Sequence, residues 1–172
     1  MKVTDLRTTE YHEYYAGYIG KVPKTWTLKK GFDLGKAEVV EFFKTVPSDK
    51  LEYRYAENKW TVKEVFQHII DTERVMGYRC FRMARHDATA MAGFEQDDYI
   101  KPSKANQKSM DILVDEYLSV RQSTNALIQS LSDEDLEFVG NANGAAMSSR
   151  AVAFMILGHE IWHIDIIKAL YL

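Results

Sequence analysis

Apolar residues recur at three- and four-residue steps along most of this chain, the period of an α-helix with one buried face. A first such helix is predicted from about Leu34 to Val46, with Val39, Phe42, Phe43 and Val46 facing inward and Pro47 ending it. The residues before it, up to about Lys30, show no clear period. The second helix has the sharpest start. Thr61 can cap it, Glu64 completes a capping box three residues on, and Trp60 can pack on Val65 as a staple. Val62, Val65, Phe66, Ile69, Glu73, Met76, Cys80 and Met83 then form an inward stripe ending near Arg85, with His68 on its flank. A third helix, about Asn106 to Leu131, carries Met110, Leu113, Val114, Tyr117, Thr124, Ile128 and Leu131 on one stripe, and Arg121 falls in register with them. Ser148 can cap a last helix whose inward face holds Val152, Met155, Ile156, His159, His163, Ile166, Ile167 and Leu170.

The connections are polar. Residues 86–104 form a long crossover between the second and third helices, able to overhang a site, and Ser132 to Asp135 can open a short helical turn. The run GNANGAAM, Gly140 to Met147, reads as a loop. The pattern predicts an all-α protein, a four-helix bundle over about 34–172 with an N-terminal extension at 1–33. At 172 residues with 46% hydrophobic content, the chain fits one domain better than two.

Charge and cysteine content narrow the function. Lysine and arginine total 22 against 25 acidic residues, and the basic ones are scattered, so no stripe for a phosphate backbone exists and nucleic acid is not an expected partner. Cys80 is the only cysteine, which excludes an intrachain disulfide and a thiolate zinc site. No stretch reaches the roughly 20 apolar residues of a membrane span, and the N-terminus lacks the apolar core of a secretion signal. A reduced, cytoplasmic setting with no membrane contact is expected.

The chemistry centres on the last helix. His159 and His163 lie one turn apart on the face that should meet the core, where two neutral imidazoles are costly to bury unless something accepts their lone pairs. A metal does so directly. A single core histidine is usually just a hydrogen-bonded one, but the pair makes a ligand role plausible. His159-Glu160-Ile161-Trp162-His163 also spells HExxH, in which the glutamate of zinc proteases acts as general base. Those proteases need a further ligand downstream, and only nine residues follow His163, none of them His or Glu. A third ligand must come from upstream, with His68 the natural candidate and His12 and His86 in less certain segments.

Three longer segments carry a family resemblance: KWTVKEVFQHIIDTER at Lys59 to Arg74, GYRCFRMARHD with GFEQDDY at Gly77 to Tyr99, and GHEIWHIDIIKALYL at the end. In that order and spacing the chain resembles the DinB-like superfamily from about Leu34 onward, a group including YfiT-type hydrolases and thiol-dependent S-transferases. The resemblance implies a bundle whose metal histidines match His68, His159 and His163, binding one divalent ion such as nickel or zinc, with iron or manganese as further candidates. Family members often read GHExHH, whereas Trp162 stands here in place of the extra histidine. Three histidines leave a coordination position open, a catalytic geometry.

A metal-dependent hydrolase or thiol-dependent transferase acting on a small molecule, in the second case with a low-molecular-weight thiol, is the leading expectation. Glu160 and Arg121 are its catalytic candidates. Glu160 points about 100° around the helix from His159 and so fits a supporting role equally well. Arg121 would either pair with an inward acid such as Glu73 or bind a substrate carboxylate. Asp71, ahead of Glu64, is the expected partner for the free nitrogen of His68. Tyr99, Asp97 and Asp98 in the crossover read as a solvated loop. Cys80 faces the core and is not an expected nucleophile. The rival is a non-catalytic metal-binding, stress-associated bundle acting through a partner or as a homodimer, with Tyr11, Tyr14, Tyr15 and Tyr18 as the contact face; a metalloprotease and a metal-free bundle are weaker alternatives.

Overall fold

The computed structural model describes residues 1–172. Short 3₁₀ turns at the N-terminus lead into α1 (Ala16–Ile19), followed by α2 (Leu28–Thr45), α3 (Val62–Met83), α4 (Asp97–Ser103), α5 (Met110–Ser130), α6 (Asp133–Glu137), a hairpin of β1 (Val139–Ala142) and β2 (Ala145–Ser148), and α7 (Ser149–Leu170). The four long helices α2, α3, α5 and α7 form the bundle. Helix α3 packs against α7 and α5, and α2 packs against the same two. The cyclic order is therefore α2, α5, α3, α7, in which α2 and α3 face each other across a diagonal although they are consecutive bundle helices. A simple up-and-down bundle would make them neighbours.

Local signals set the helix boundaries. The Thr61 hydroxyl accepts from the Glu64 amide while the Glu64 carboxylate accepts from the Thr61 amide, so α3 starts with the capping box read from its sequence. The hydroxyls of Ser109, Ser132 and Ser148 likewise accept an amide N–H at the starts of α5, α6 and α7, with a reciprocal carboxylate bond only at Ser132. Helix α2 begins at Leu28, ahead of the expected Leu34, so part of the 1–33 segment belongs to the bundle. Gly31 and Gly35 obscured that start by lowering local helix propensity. Gly35 is required by packing, since a Cβ there would run into the Glu160 carboxylate.

The GNANGAAM run is not a plain loop. It is an antiparallel hairpin pairing Val139 with Ser148 and Ala142 with Ala145, turned by Asn143 and Gly144 at φ 54° and 78°. Asn-Gly is the dipeptide best suited to that left-handed turn. The crossover after α3 docks on it: Met91 N–H donates to the Asn141 carbonyl, and Asn143 N–H donates to the Met91 carbonyl.

Two apolar clusters fill the bundle. One surrounds Phe32, Met76, Cys80, Met83, Phe154 and Leu157; the other surrounds Phe43, Phe66, Leu113, Tyr117, Ile164 and Ile167. Leu170, placed inward by periodicity, is exposed; the residue that turns inward at this end of α7 is Tyr171, which is buried and donates to the Trp60 carbonyl. Arg121 of α5, His159, Glu160 and His163 of α7, and Glu73 of α3, all buried, fall in sequence between the stretches that build the two clusters.

The N-terminal segment is a strap across the bundle. Buried Glu10 is held by Arg150 at 2.6 and 2.7 Å and by the Ser148 hydroxyl at 2.9 Å. Burial alone would raise its carboxyl, but hydrogen bonds from Arg150, Arg7 and Ser148 bring it down to about 2. The tyrosine face offered for dimerisation is largely used inside the chain. Tyr11 and Tyr15 pack against the core, Tyr18 packs on His159 and Trp162, and Tyr14 stays exposed.

Candidate metal centre

Helix α3 supplies His68, and α7 supplies His159 and His163 one turn apart. Because α3 and α7 pack face to face, the three rings converge. Nε2 of His159 lies 3.0 Å from Nε2 of His68 and 3.1 Å from Nε2 of His163. Candidate ligand atoms of all three fall within 4.8 Å of one another. Each ring leans on an aromatic side chain: Trp60 on His68 at 4.7 Å, Tyr18 on His159 at 5.3 Å and Trp162 on His163 at 4.9 Å between centroids. Trp162 therefore forms part of an aromatic collar.

Burial keeps these imidazoles neutral. It lowers His68 to about 4 and, with the adjacent His68, lowers His163 to about 3; His159 is driven well below the ordinary histidine range by burial and then by His163 and His68. A neutral ring nitrogen either donates one proton or offers one lone pair. His159 Nε2 faces two partners and can satisfy one, so the trio is not self-sufficient in hydrogen bonding. One cation accepting three lone pairs removes the conflict. The spacings agree with that, since nitrogens sharing an ion at about 2.1 Å lie about 3.0–3.4 Å apart. The residues present thus fit a divalent metal.

The neighbours of the trio differ from expectation in one respect. Asp71 does not reach His68; it accepts from Gln67 and Arg74. Glu64 is occupied at the α3 cap. The group beside His68 Nδ1 is the Thr72 hydroxyl, at 3.5 Å. Periodicity accounts for this: Thr72 lies one full turn beyond His68 on the same face, whereas Asp71 rotates toward solvent.

Glu160 and Arg121 sit in a separate, sealed cluster. Arg121 is fully buried and donates to Glu73 at 2.7–3.1 Å and to Glu160 at 2.6 and 3.2 Å. The Tyr117 hydroxyl donates to Glu160 at 3.0 Å. Burial opposes the Arg121 charge, but Glu160 and Glu73 outweigh it and hold the guanidinium well above its ordinary pKa; burial raises Glu160, with Arg121 pulling the other way. Both Glu160 oxygens and the Arg121 fork are thereby engaged. This geometry gives the two catalytic candidates a structural task, and the Arg121–Glu73 pairing is the alternative the α3 stripe suggested.

A cavity of about 380 Å³ opens beside His159. Thr72, Met76 and Arg79 of α3 and Met155 of α7 line it from the bundle, Tyr14 and Tyr18 from the strap, Gly93 to Gln96 from the crossover and Asn143 from the hairpin turn. The crossover does overhang a site, through Phe94 rather than through Asp97 and Asp98. Phe94 in turn packs on Tyr99. His12 lines the rim, while His86 lies elsewhere, stacked on Phe138 and paired with Asp135. Cys80 is sealed in the core, where burial pushes its thiol up to about 12. Sequence reasoning missed Arg79 and Asn143. His68, Thr72, Met76 and Arg79 follow one another at four- and three-residue steps, so the stripe was present to be read.

The sequence profile of the DinB superfamily matches residues 32–167. The chain belongs to that family. The fold agrees with a solved DinB-like structure, described as "YfiT from Bacillus subtilis is a probable metal-dependent hydrolase with an unusual four-helix bundle topology". The two superpose with a TM-score of 0.74 over 96% of this chain and 90% of that one, at 14% identity. No curated protein sequence matches. In this chain the diagonal passage from α2 to α3 leaves α3 and α7 adjacent and so brings the three histidines together. No helix is long and apolar enough to cross a membrane.

Proposed function

We propose that this DinB-family protein is a divalent-metal-dependent enzyme of hydrolase type acting on a small molecule in the cavity beside His159. The observation that carries the reading is the convergence of three buried, neutral imidazoles, of which His159 opens on that cavity, with a hydrogen-bonding conflict among them that a shared cation resolves. An all-imidazole set suits zinc or nickel, and also iron; manganese favours oxygen ligands. When bound, such an ion supplies Lewis acidity at its remaining position.

The protein's own side chains supply the rest. Thr72 steadies the His68 ring, and Trp60, Tyr18 and Trp162 restrict water around the imidazoles. Burial raises the Tyr18 hydroxyl to about 12, so it stays protonated and can donate at the cavity wall. Glu95, exposed at the rim, is the only carboxylate lining the cavity. The similarity of the fold to YfiT, described as a probable metal-dependent hydrolase, supports hydrolysis. With Cys80 sealed, a thiol-transfer reaction would need an external thiol.

The test assays metal-loaded protein on activated esters and amides, and on a reactive electrophile with and without a low-molecular-weight thiol. The expected result is turnover without thiol, lost on chelation, restored by metal and absent in His163→Ala. Turnover only with thiol would replace hydrolase by transferase. No turnover in any arm at full metal loading would overturn the enzyme and leave a metal-binding bundle.

A further inference from the structure

Three arginines of this chain are buried, and they are treated differently. Arg121 has Glu73 and Glu160; Arg150 has Glu10 and Glu137. Arg79, only 3% exposed, has no carboxylate at all. Its Nη2 donates to the Ala92 carbonyl at 2.8 Å, its Nη1 meets the Met76 sulfur at 3.7 Å, and its guanidinium lies 5.7 Å from the centre of the Phe94 ring. A guanidinium stays charged in a protein, and a buried charge without a counterion is costly. Arg79 lines the same cavity as His159.

We propose that this cavity selects small molecules bearing a single carboxylate, with Arg79 as the group that pairs with it. The proposal rests on the preceding reading in taking this cavity as the place where the reacting molecule sits. The other titratable groups lining the cavity are His12, Tyr14, Tyr15, Tyr18, Glu95 and His159, so Arg79 is the one fixed positive charge and Glu95 an opposing one at the rim. One guanidinium balances a monoanion and not a phosphate dianion, which favours a carboxylate. Phe94, Tyr14, Tyr18 and Met155 line the same cavity with aromatic and thioether surface, suited to an aromatic or apolar body. The fork geometry of arginine engages a carboxylate through two parallel bonds.

The test measures binding of phenylacetate, phenylacetamide and phenylphosphonate by ligand-observed NMR to wild type, Arg79→Met, Arg79→Lys and His163→Ala, each with metal and with chelator. Phenylacetate should bind about tenfold or more tighter than phenylacetamide. Arg79→Met should lose that preference while keeping or raising its melting temperature, because a buried unpaired charge has been removed; a purely structural arginine would lower it. Arg79→Lys should keep part of the preference and serves as the folded comparison if the Met variant fails to fold. Equal binding of acid and amide, no binding of either, or a stronger preference for phenylphosphonate would overturn the carboxylate assignment. A preference seen with metal and lost with chelator or in His163→Ala would also overturn it, since the ion and not Arg79 would then hold the anion. Carboxylate preference in a protein that binds no metal would retain Arg79 and overturn the metal centre instead.

Discussion

His159 and Glu160 are consecutive residues, both buried on α7, and they face two different kinds of polar cluster. Glu160 joins Arg121, Glu73 and Tyr117 in a set whose donors and acceptors are matched by the protein itself. His159 joins His68 and His163 in a set that holds three nitrogens and no internal way to satisfy them all. The first cluster is closed by its own ion pairs, although Glu73 also edges a surface pocket between α3 and α5, and the second opens on a cavity through His159 with its valences unmatched. Side chains that complete one another hold helices together, whereas side chains that leave valence unspent next to a cavity are placed for a ligand. Arg121 and Arg79 repeat the contrast within one residue type.

The strongest way to break this comparison is to open the closed cluster. Arg121→Met strands Glu73 and Glu160 in the core and should lower stability by about 3–5 kcal/mol in urea unfolding. A cost below about 1 kcal/mol would mean that the network is not holding α3, α5 and α7 together. Glu10 offers the next test, as a second closed set. Its folded pKa of about 2 lies below the ordinary 4.5, so the folded state holds fewer protons than the unfolded one. The stability it gives is present above pH 4.5 and lost as pH falls toward 2, an effect of order 3 kcal/mol that Glu10→Gln should remove from the urea-midpoint profile. An unchanged slope in Glu10→Gln would show that Arg150 does not depend on that carboxylate.

The open cluster should respond to ligand instead. Saturating nickel or zinc at a hundredfold above Kd should stabilise wild type by about 2.7 kcal/mol and leave the melting temperature of His163→Ala unmoved. Equal shifts in both would place the metal elsewhere. Glu160→Gln sharpens the division with a smaller effect: it should cost about 1–3 kcal/mol in stability while metal content is retained. Intact stability with turnover abolished would instead make Glu160 the general base that HExxH suggested.

How far these features could be read from the sequence followed the range of the signal. Periodicity and caps located α3, α5 and α7 because each depends on residues three and four apart, as in the Thr61–Glu64 box. Helix α2 was placed late because Gly31 and Gly35 answer to α7, not to their own helix. The three histidines could be proposed from one helical pair and a resemblance, but not the partner choice around them. Thr72 rather than Asp71 beside His68, and Tyr117 on Glu160, follow from how α3, α5 and α7 rotate against one another. The hairpin's local signal is its Asn-Gly pair, which marks a turn but does not by itself distinguish a hairpin from a loop. Arg79 was overlooked because its significance is the lack of an acid nearby in space, which no spacing along the chain can state.

The central claim is that His68, His159 and His163 hold a metal ion, and elemental analysis of the untagged protein tests it most directly. Wild type should carry close to one divalent ion per chain and His163→Ala essentially none. A wild type that remains metal-free after incubation with nickel and zinc, or a variant that keeps its ion, would contradict the claim.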